Sequence, residues 1–322
     1  MIKTLTRSIL GLTIIMIFSS WGFYAHKEIN KLAVFTLPSE MIGFYKNNIQ
    51  YITDASTHAD QRRFVDKEEA PKHYIDIDHF GDSAIHTMPR YWRDAKEKMG
   101  EDTLKAYGIL PWNTYVVYQQ LKQAFLVGDP ERILKLSADL GHYIADAHVP
   151  LHTTENYDGQ LTGQNGIHAF WESRLPELFA DNYNFFTGKA SHIRNPQLAI
   201  WEIIMQSQAA VDSVLKEEKK LSVQFGEKKY AFETKGKTTQ RVYSKEYAKA
   251  YHQLLNGMVE RRMKASIKMI GDFWYTAWVE AGQPDMKKLI DYKPTEEQLQ
   301  KRKEEIESWK QKEASPKEAK EN

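Results

Sequence analysis

His142 and Asp146 stand four residues apart in the stretch from His142 to His152, so a helix through them presents both side chains on one face. His152 follows the Pro150 break, where the chain can turn back toward that face. His168 and Glu172 repeat the four-residue spacing downstream. Imidazole nitrogens and carboxylate oxygens are the usual non-thiolate ligands of zinc, and helical pairs fix their orientation. Either pair alone reads equally as a hydrogen bond along a helix face; two pairs with a further histidine between them point to metal. Upstream lie Asp60, within His58 to Arg63, and His73, which opens the run His73, Tyr74, Ile75, Asp76. Trp21 and His26 lie further upstream.

The 322 residues contain no cysteine, which excludes disulfides, thiolate metal sites and a cysteine nucleophile, so any metal must be held by His and carboxylates. A formal net charge of +1 gives no global attraction to polyanions, and a polyanionic substrate must be held locally. Residues 1–20 carry Lys3 and Arg7, an apolar run from Ile9 to Phe18, then Ser19 and Ser20, the layout of a secretory signal peptide. The expected mature chain begins at Trp21, carries 42 basic and 43 acidic residues, and is secreted or periplasmic with no stable membrane span. An uncleaved anchor is the alternative.

The ordered set Trp21, His26, Asp60, His73, His142, Asp146, His152, His168, Glu172 resembles the trinuclear zinc phosphodiesterases, the superfamily that joins fungal and plant single-strand nucleases with bacterial zinc-dependent phospholipases C. The resemblance runs from Trp21 to Glu172; beyond about residue 180 the chain matches only as a helical scaffold. It implies three zinc ions in a cleft of a mostly helical fold. One takes Asp60, His73, His142 and Asp146; a second takes His152, His168 and Glu172; a third takes the Trp21 amine and carbonyl, His26 and the bridging Asp146. An α-amine has a lone pair for zinc and a peptide nitrogen has none, so signal removal would complete the third site. The implied reaction is phosphodiester hydrolysis by a metal-activated hydroxide attacking phosphorus, with Arg63 stabilising the transition state or forming only a surface salt bridge.

The substrate is read from accessory residues. Tyr74 and Asp76 match by position the aromatic and the Asp of the nuclease base pocket, which favours single-stranded nucleic acid. Asp76 could equally be a partner of a ligand histidine. Glu172 is what the phospholipases carry in place of the nuclease Asp, which favours a phospholipid head group, and Tyr24 stands where a choline-binding carboxylate is expected, which disfavours it. The nuclease is preferred narrowly; a non-catalytic secreted zinc-binding protein is the reading from another class. His58, His79 and His148 flank ligand positions as supporting or structural histidines; His86, His192 and His252 have no partner visible in the sequence.

The elements that position these residues are helical. Helical spacing covers His26 to Phe35, and Ser39 is expected to cap the next helix after Pro38. Asp129 and Pro130 start a helix of about 130 to 148 that Pro150 stops. Asn195 and Pro196 start another through Leu198, Trp201, Met205, Val211 and Leu215, and Ser244 opens a long aromatic helix through Trp278, its rings read as core. A small hairpin is expected from Leu221–Phe225 and Tyr230–Phe232 around Gly226, and residues 157–166, with three glycines, read as a flexible loop. From Lys293 the composition predicts a solvated helix and then a disordered end near 314–322. The expectation is an all-α protein: a phosphodiesterase-type domain over 21–292, with one possible hairpin, followed by a charged tail over 293–322.

Overall fold

The computed structural model describes residues 23–235 and 238–314. The signal-peptide stretch, Trp21 and the end of the tail lie outside them. The elements run α1 (Phe23–Ala33), α2 (Ser39–Asn47), α3 (Ile49–Ala55), α4 (His58–Arg62), α5 (Ala84–Thr87), α6 (Trp92–Met99), α7 (Glu101–Ala106), α8 (Leu110–Val127) and α9 (Pro130–Ala147). They continue with α10 (Ile167–Ala169), α11 (Leu175–Phe179), α12 (Pro196–Phe225), β1 (Tyr230–Lys235), β2 (Thr238–Tyr243), α13 (Lys245–Leu254), α14 (Met258–Glu280) and α15 (Glu296–Ala314). The fold is mostly helical with one two-stranded antiparallel hairpin. Among the described residues, no helix is long and apolar enough to cross a membrane.

The central helix is α9. Asp129 accepts a bond from the Arg132 amide and Pro130 fills the first turn, where its missing N–H costs nothing. From Ser137 to Ala147 every residue is buried, because α1, α3, α8, α12 and α14 all pack against it. Tyr45 stacks on Trp274 at 5.0 Å and both tie to Ser137, while Trp112 and Trp201 meet edge to face at 5.3 Å. Asn195 caps α12 through the Leu198 amide, and Ser244 caps α13 through that of Tyr247.

Five sequence expectations are corrected. Pro38, not Ser39, occupies the N-cap of α2, and the Ser39 hydroxyl turns to Glu40. Leu221–Phe225 is the last turn of α12; the apolar alternation imitates a strand, but Val211, Val214, Glu218 and Leu221 form one buried helical stripe and Val223 is 83% exposed. The hairpin therefore pairs β1 with β2, Tyr230 opposite Tyr243. The aromatic helix after Ser244 is two helices, broken where Asn256 and Gly257 take positive φ values of 47° and 72°.

The tail helix is docked rather than solvated all round. Trp309 is only 6% exposed and packs edge-on against His58 at 5.2 Å. Arg302 pairs with Glu131 at the start of α9 and lies 4.1 Å over the Tyr51 ring. Helix α15 thus covers α4, the short helix that carries Asp60. The glycine loop is likewise pinned: Asn156 holds Leu161 and Thr162, and Gln164 donates to the buried Glu218 carboxylate at 2.6 Å.

Candidate metal centre

The donors reach one place from six elements. Helix α1 brings His26, α4 brings Asp60, the single turn Ala70–His73 brings His73, α9 brings His142 and Asp146, and the turn Pro150–Thr153 brings His152. His168 and Glu172 come from the segment α10–α11, whose middle, Phe170–Arg174, is a π-helical turn. Pro176 removes the amide that would bond back to Glu172 in an α-helix.

Three groups of donors converge: Asp60, His73 and His142; His26, His142 and Asp146; His152, His168 and Glu172. In the first, His142 Nε2 lies 2.9 Å from His73 Nδ1, and Asp60 Oδ1 stands off at 3.9 Å and 4.0 Å from these two nitrogens. In the third, Glu172 Oε2 is 2.8 Å from His168 Nε2 and 3.4 Å from His152 Nε2, and the two nitrogens are 3.1 Å apart. Tetrahedral coordination with bonds of about 2.0–2.1 Å places neighbouring donors about 3.3 Å apart, within this spread.

Two carboxylates join the groups. Asp146 turns Oδ2 to His73 (2.9 Å) and His142 (3.2 Å) and Oδ1 to His26 (3.3 Å). Glu172 turns Oε2 to His152 and His168 and Oε1 to His26 at 3.1 Å. His26 therefore sits between two bridging carboxylates, one expected from the sequence and one not.

Backbone carbonyls set the tautomers. His142 Nδ1 donates to Ser56 O at 2.8 Å and His152 Nδ1 donates to His73 O at 2.6 Å, so Nε2 is the nitrogen that each ring turns to the cluster. Facing ring nitrogens at 2.9 Å and 3.1 Å need a hydrogen or a metal between them. Burial alone would discharge His26 and His152, but Glu172 and Asp146 outweigh it and push both up to about 9. Burial likewise opposes ionisation of Asp146 and Glu172, and the surrounding imidazoles win, holding both well below the usual carboxylate range. Each group has the donor chemistry to hold a divalent ion.

The backbone brings α1 within reach through one glycine. A Cβ on Gly141 would lie 1.9 Å from Asn30 Oδ1, and Asn30 is fully buried with its amide on His26 O. The close approach lets the His26 and His142 rings stack at 4.2 Å. Gly141→Ala should push α1 outward, destabilise the fold by about 1–3 kcal/mol and lower the affinity of the cluster for an added divalent ion. Unchanged affinity by titration calorimetry would show that the approach of the two helices is not needed.

Arg63 reaches Asp60 Oδ1 at 2.9 Å and remains about half exposed at the edge of the cluster. Tyr74 and Asp76 lie beside it, because Ile75 N donates to His152 O at 2.9 Å and Asp76 N donates to Tyr107 O. Burial, reinforced by Asp78 and Glu155, pushes the Asp76 carboxyl up to about 7. Tyr74 packs against Gly108, whose missing side chain leaves room for it. Trp21 lies outside the described residues.

Sequence reasoning missed the supports. Glu69, four residues before His73, faces His73 Nε2 at 3.7 Å and is held ionised, against burial, by His73, Arg62, Lys72 and Tyr143. Its spacing from His73 was the available signal. Buried Arg262 donates to His148 O at 2.7 Å and to Ser207, which itself donates to Ala147 O, so a cation closes the C-terminal end of α9. Among the other histidines, His148 donates to Ile144 O, His79 pairs with Glu155 and His252 with Tyr183.

Comparison of the sequence with protein-family models and with the curated proteins finds no match.

Proposed function

We propose that the chain is a secreted or periplasmic zinc-dependent phosphodiester hydrolase holding three zinc ions, with single-stranded nucleic acid as its favoured substrate. The observation that carries this reading is the pair of carboxylates, Asp146 and Glu172, that join His26 to two histidine pairs. A chain of bridged N/O sites at a solvent-reachable edge suits a phosphate, whose oxygens can be shared between neighbouring cations. Zinc bound there supplies charge to polarise phosphate oxygens and acidifies a water to the point of nucleophilicity. Asp146 and Glu172 hold the spacing of the sites, and Ser56 O and His73 O keep two imidazoles facing inward. Arg63, poised between Asp60 and solvent, donates to a non-bridging phosphate oxygen as negative charge builds on it. Tyr74 offers a face for a base, and Asp76, with its carboxyl poised near neutrality, offers a donor or acceptor to the base edge. Cleavage after Ser20 would leave an α-amine five residues before His26, available as a further ligand.

A second reading has its own observation. Tyr24 Oη donates to Asp181 at 3.4 Å, and Glu28 and Glu177 add negative potential around the ring. An aromatic face among carboxylates suits a quaternary ammonium head group, and this favours a phospholipase C. The deciding experiment compares chelator-sensitive, zinc-restored hydrolysis of single-stranded DNA and of phosphatidylcholine by one mature preparation. Faster cleavage of DNA supports the nuclease; release of phosphocholine with DNA intact replaces it; zinc binding with neither activity leaves a metal-binding protein.

A further inference from the structure

The segment 226–245, which contains the hairpin, carries six Lys or Arg and two Glu in a chain whose overall charge is close to zero. One of those Glu, Glu233, is already engaged by Arg174. In the hairpin register Phe232 stands opposite Arg241, on the face that also holds Tyr230, Thr234 and Thr239. Phe232 is 75% exposed. The Arg241 guanidinium lies 3.6 Å over the Tyr230 ring, with Lys229 Nζ 5.0 Å from the same ring. An exposed aromatic ring beside a flat guanidinium and a lysine is a stacking surface with phosphate partners built in.

The root of this hairpin is fastened to the segment that carries two of the metal donors. Tyr243 stacks on Phe170 at 3.9 Å and donates to Asn165 O at 3.4 Å, on the N-terminal side of His168. Arg174, two residues beyond Glu172, holds both Glu233 and Tyr243 O. Beside the cluster, Tyr157 is about half exposed with its ring 6.1 Å from that of His168. Strands of six residues extend about 20 Å, enough to follow several nucleotides.

We infer that the exposed face of the β1–β2 hairpin, through Phe232, Arg241 and Lys229, is a platform for the part of a single-stranded nucleic acid that leaves the metal cluster past His168. This rests on the nuclease reading of the site. Positive charge meets phosphates, and the ring and guanidinium stack on bases without regard to sequence. The platform governs affinity for long strands; the cluster governs cleavage.

The test is fluorescence anisotropy of the zinc-loaded mature protein with a labelled phosphorothioate strand of about twenty thymidines, a length that runs past the cluster onto the hairpin. Phe232→Ala with Arg241→Gln should weaken binding about 10- to 100-fold and flatten its salt dependence by about one unit of slope. Zinc content, measured in parallel, should be unchanged, since neither side chain touches the root. Equal affinity in wild type and variant, or no binding by wild type, overturns the platform. A variant that loses binding only to phosphatidylglycerol vesicles overturns it in favour of a lipid surface. Hydrolysis is a separate readout: if the protein cleaves no nucleic acid, the nuclease reading fails whatever the anisotropy shows.

Discussion

For the proposed hydrolase, Asp146→Asn should lower hydrolysis by roughly a thousandfold or more, at or beyond the loss seen when one preorganised charge-stabilising group is removed from an active site. The side chain is nearly isosteric, so packing is kept. What changes is the charge and the donor pattern: an amide turns N–H groups toward ring nitrogens that now face a carboxylate oxygen at 2.9, 3.2 and 3.3 Å. Two donor groups lose their shared anion at once, and zinc content should fall by at least one ion per chain. The helical circular dichroism should persist, because α9 is held by its packing and by Arg262 at its C-terminal end rather than by the cluster. A variant with full zinc and full hydrolysis would sink the bridging role. Loss of hydrolysis with zinc retained would move Asp146 from ligand to orienting group. The companion change Glu172→Gln carries the same expectation for the His152–His168 pair.

What was legible in the sequence is what local chemistry writes into neighbouring residues. Asp129 with Pro130 and Asn195 with Pro196 mark helix starts because capping and the missing proline amide act within one turn. His142 with Asp146 and His168 with Glu172 share faces because the helical period does, and the structure brings eight of the nine expected ligands into three neighbouring groups, Trp21 lying outside the described residues. The rest was written by distant partners. Gly141 reads as a weak spot inside a helix until Asn30, more than a hundred residues earlier, is found against it. Both oxygens of Glu172 find work only once α1 lies alongside.

The C-terminal helix shows the same limit on a larger scale. Its sequence is rich in Lys and Glu on all sides, which by composition is a solvated helix, and its only large aromatic is Trp309. One buried ring and one Arg302–Glu131 pair are enough to seat it, since the docking surface is supplied by Tyr51, His58 and Glu131 from three other elements. The consequence reaches the cluster: α4, five residues long and incapable of standing alone as a helix, carries Asp60 and is held in place by this cover. Leu221–Phe225 failed in the opposite direction. Alternating apolar residues mimic a strand wherever only one of them is buried, and no local signal says which.

Zinc binding should strengthen steeply with pH, because protons stand in the metal-free cluster where cations would. His26 and His152 are each held up to about 9, against about 6.5 for an unfolded histidine. With the folded value raised, protonation stabilises the metal-free fold; that contribution is complete below about pH 6.5 and is lost as pH rises through about 9. Zinc must expel the same protons. Between these values the apparent affinity should rise by up to about tenfold per pH unit for each proton displaced, and by up to about a hundredfold if both are. The thermal midpoint of the chelator-treated protein should therefore fall from pH 6.5 to 9, and the gap between it and the zinc-loaded protein should widen. Titration calorimetry at pH 7 in two buffers of different ionisation enthalpy should report release of about two protons per chain from these histidines. A gap that stays constant with pH, or zinc uptake without proton release, would mean that the imidazoles already face the cluster uncharged and that the carboxylates are balanced by something other than His26 and His152.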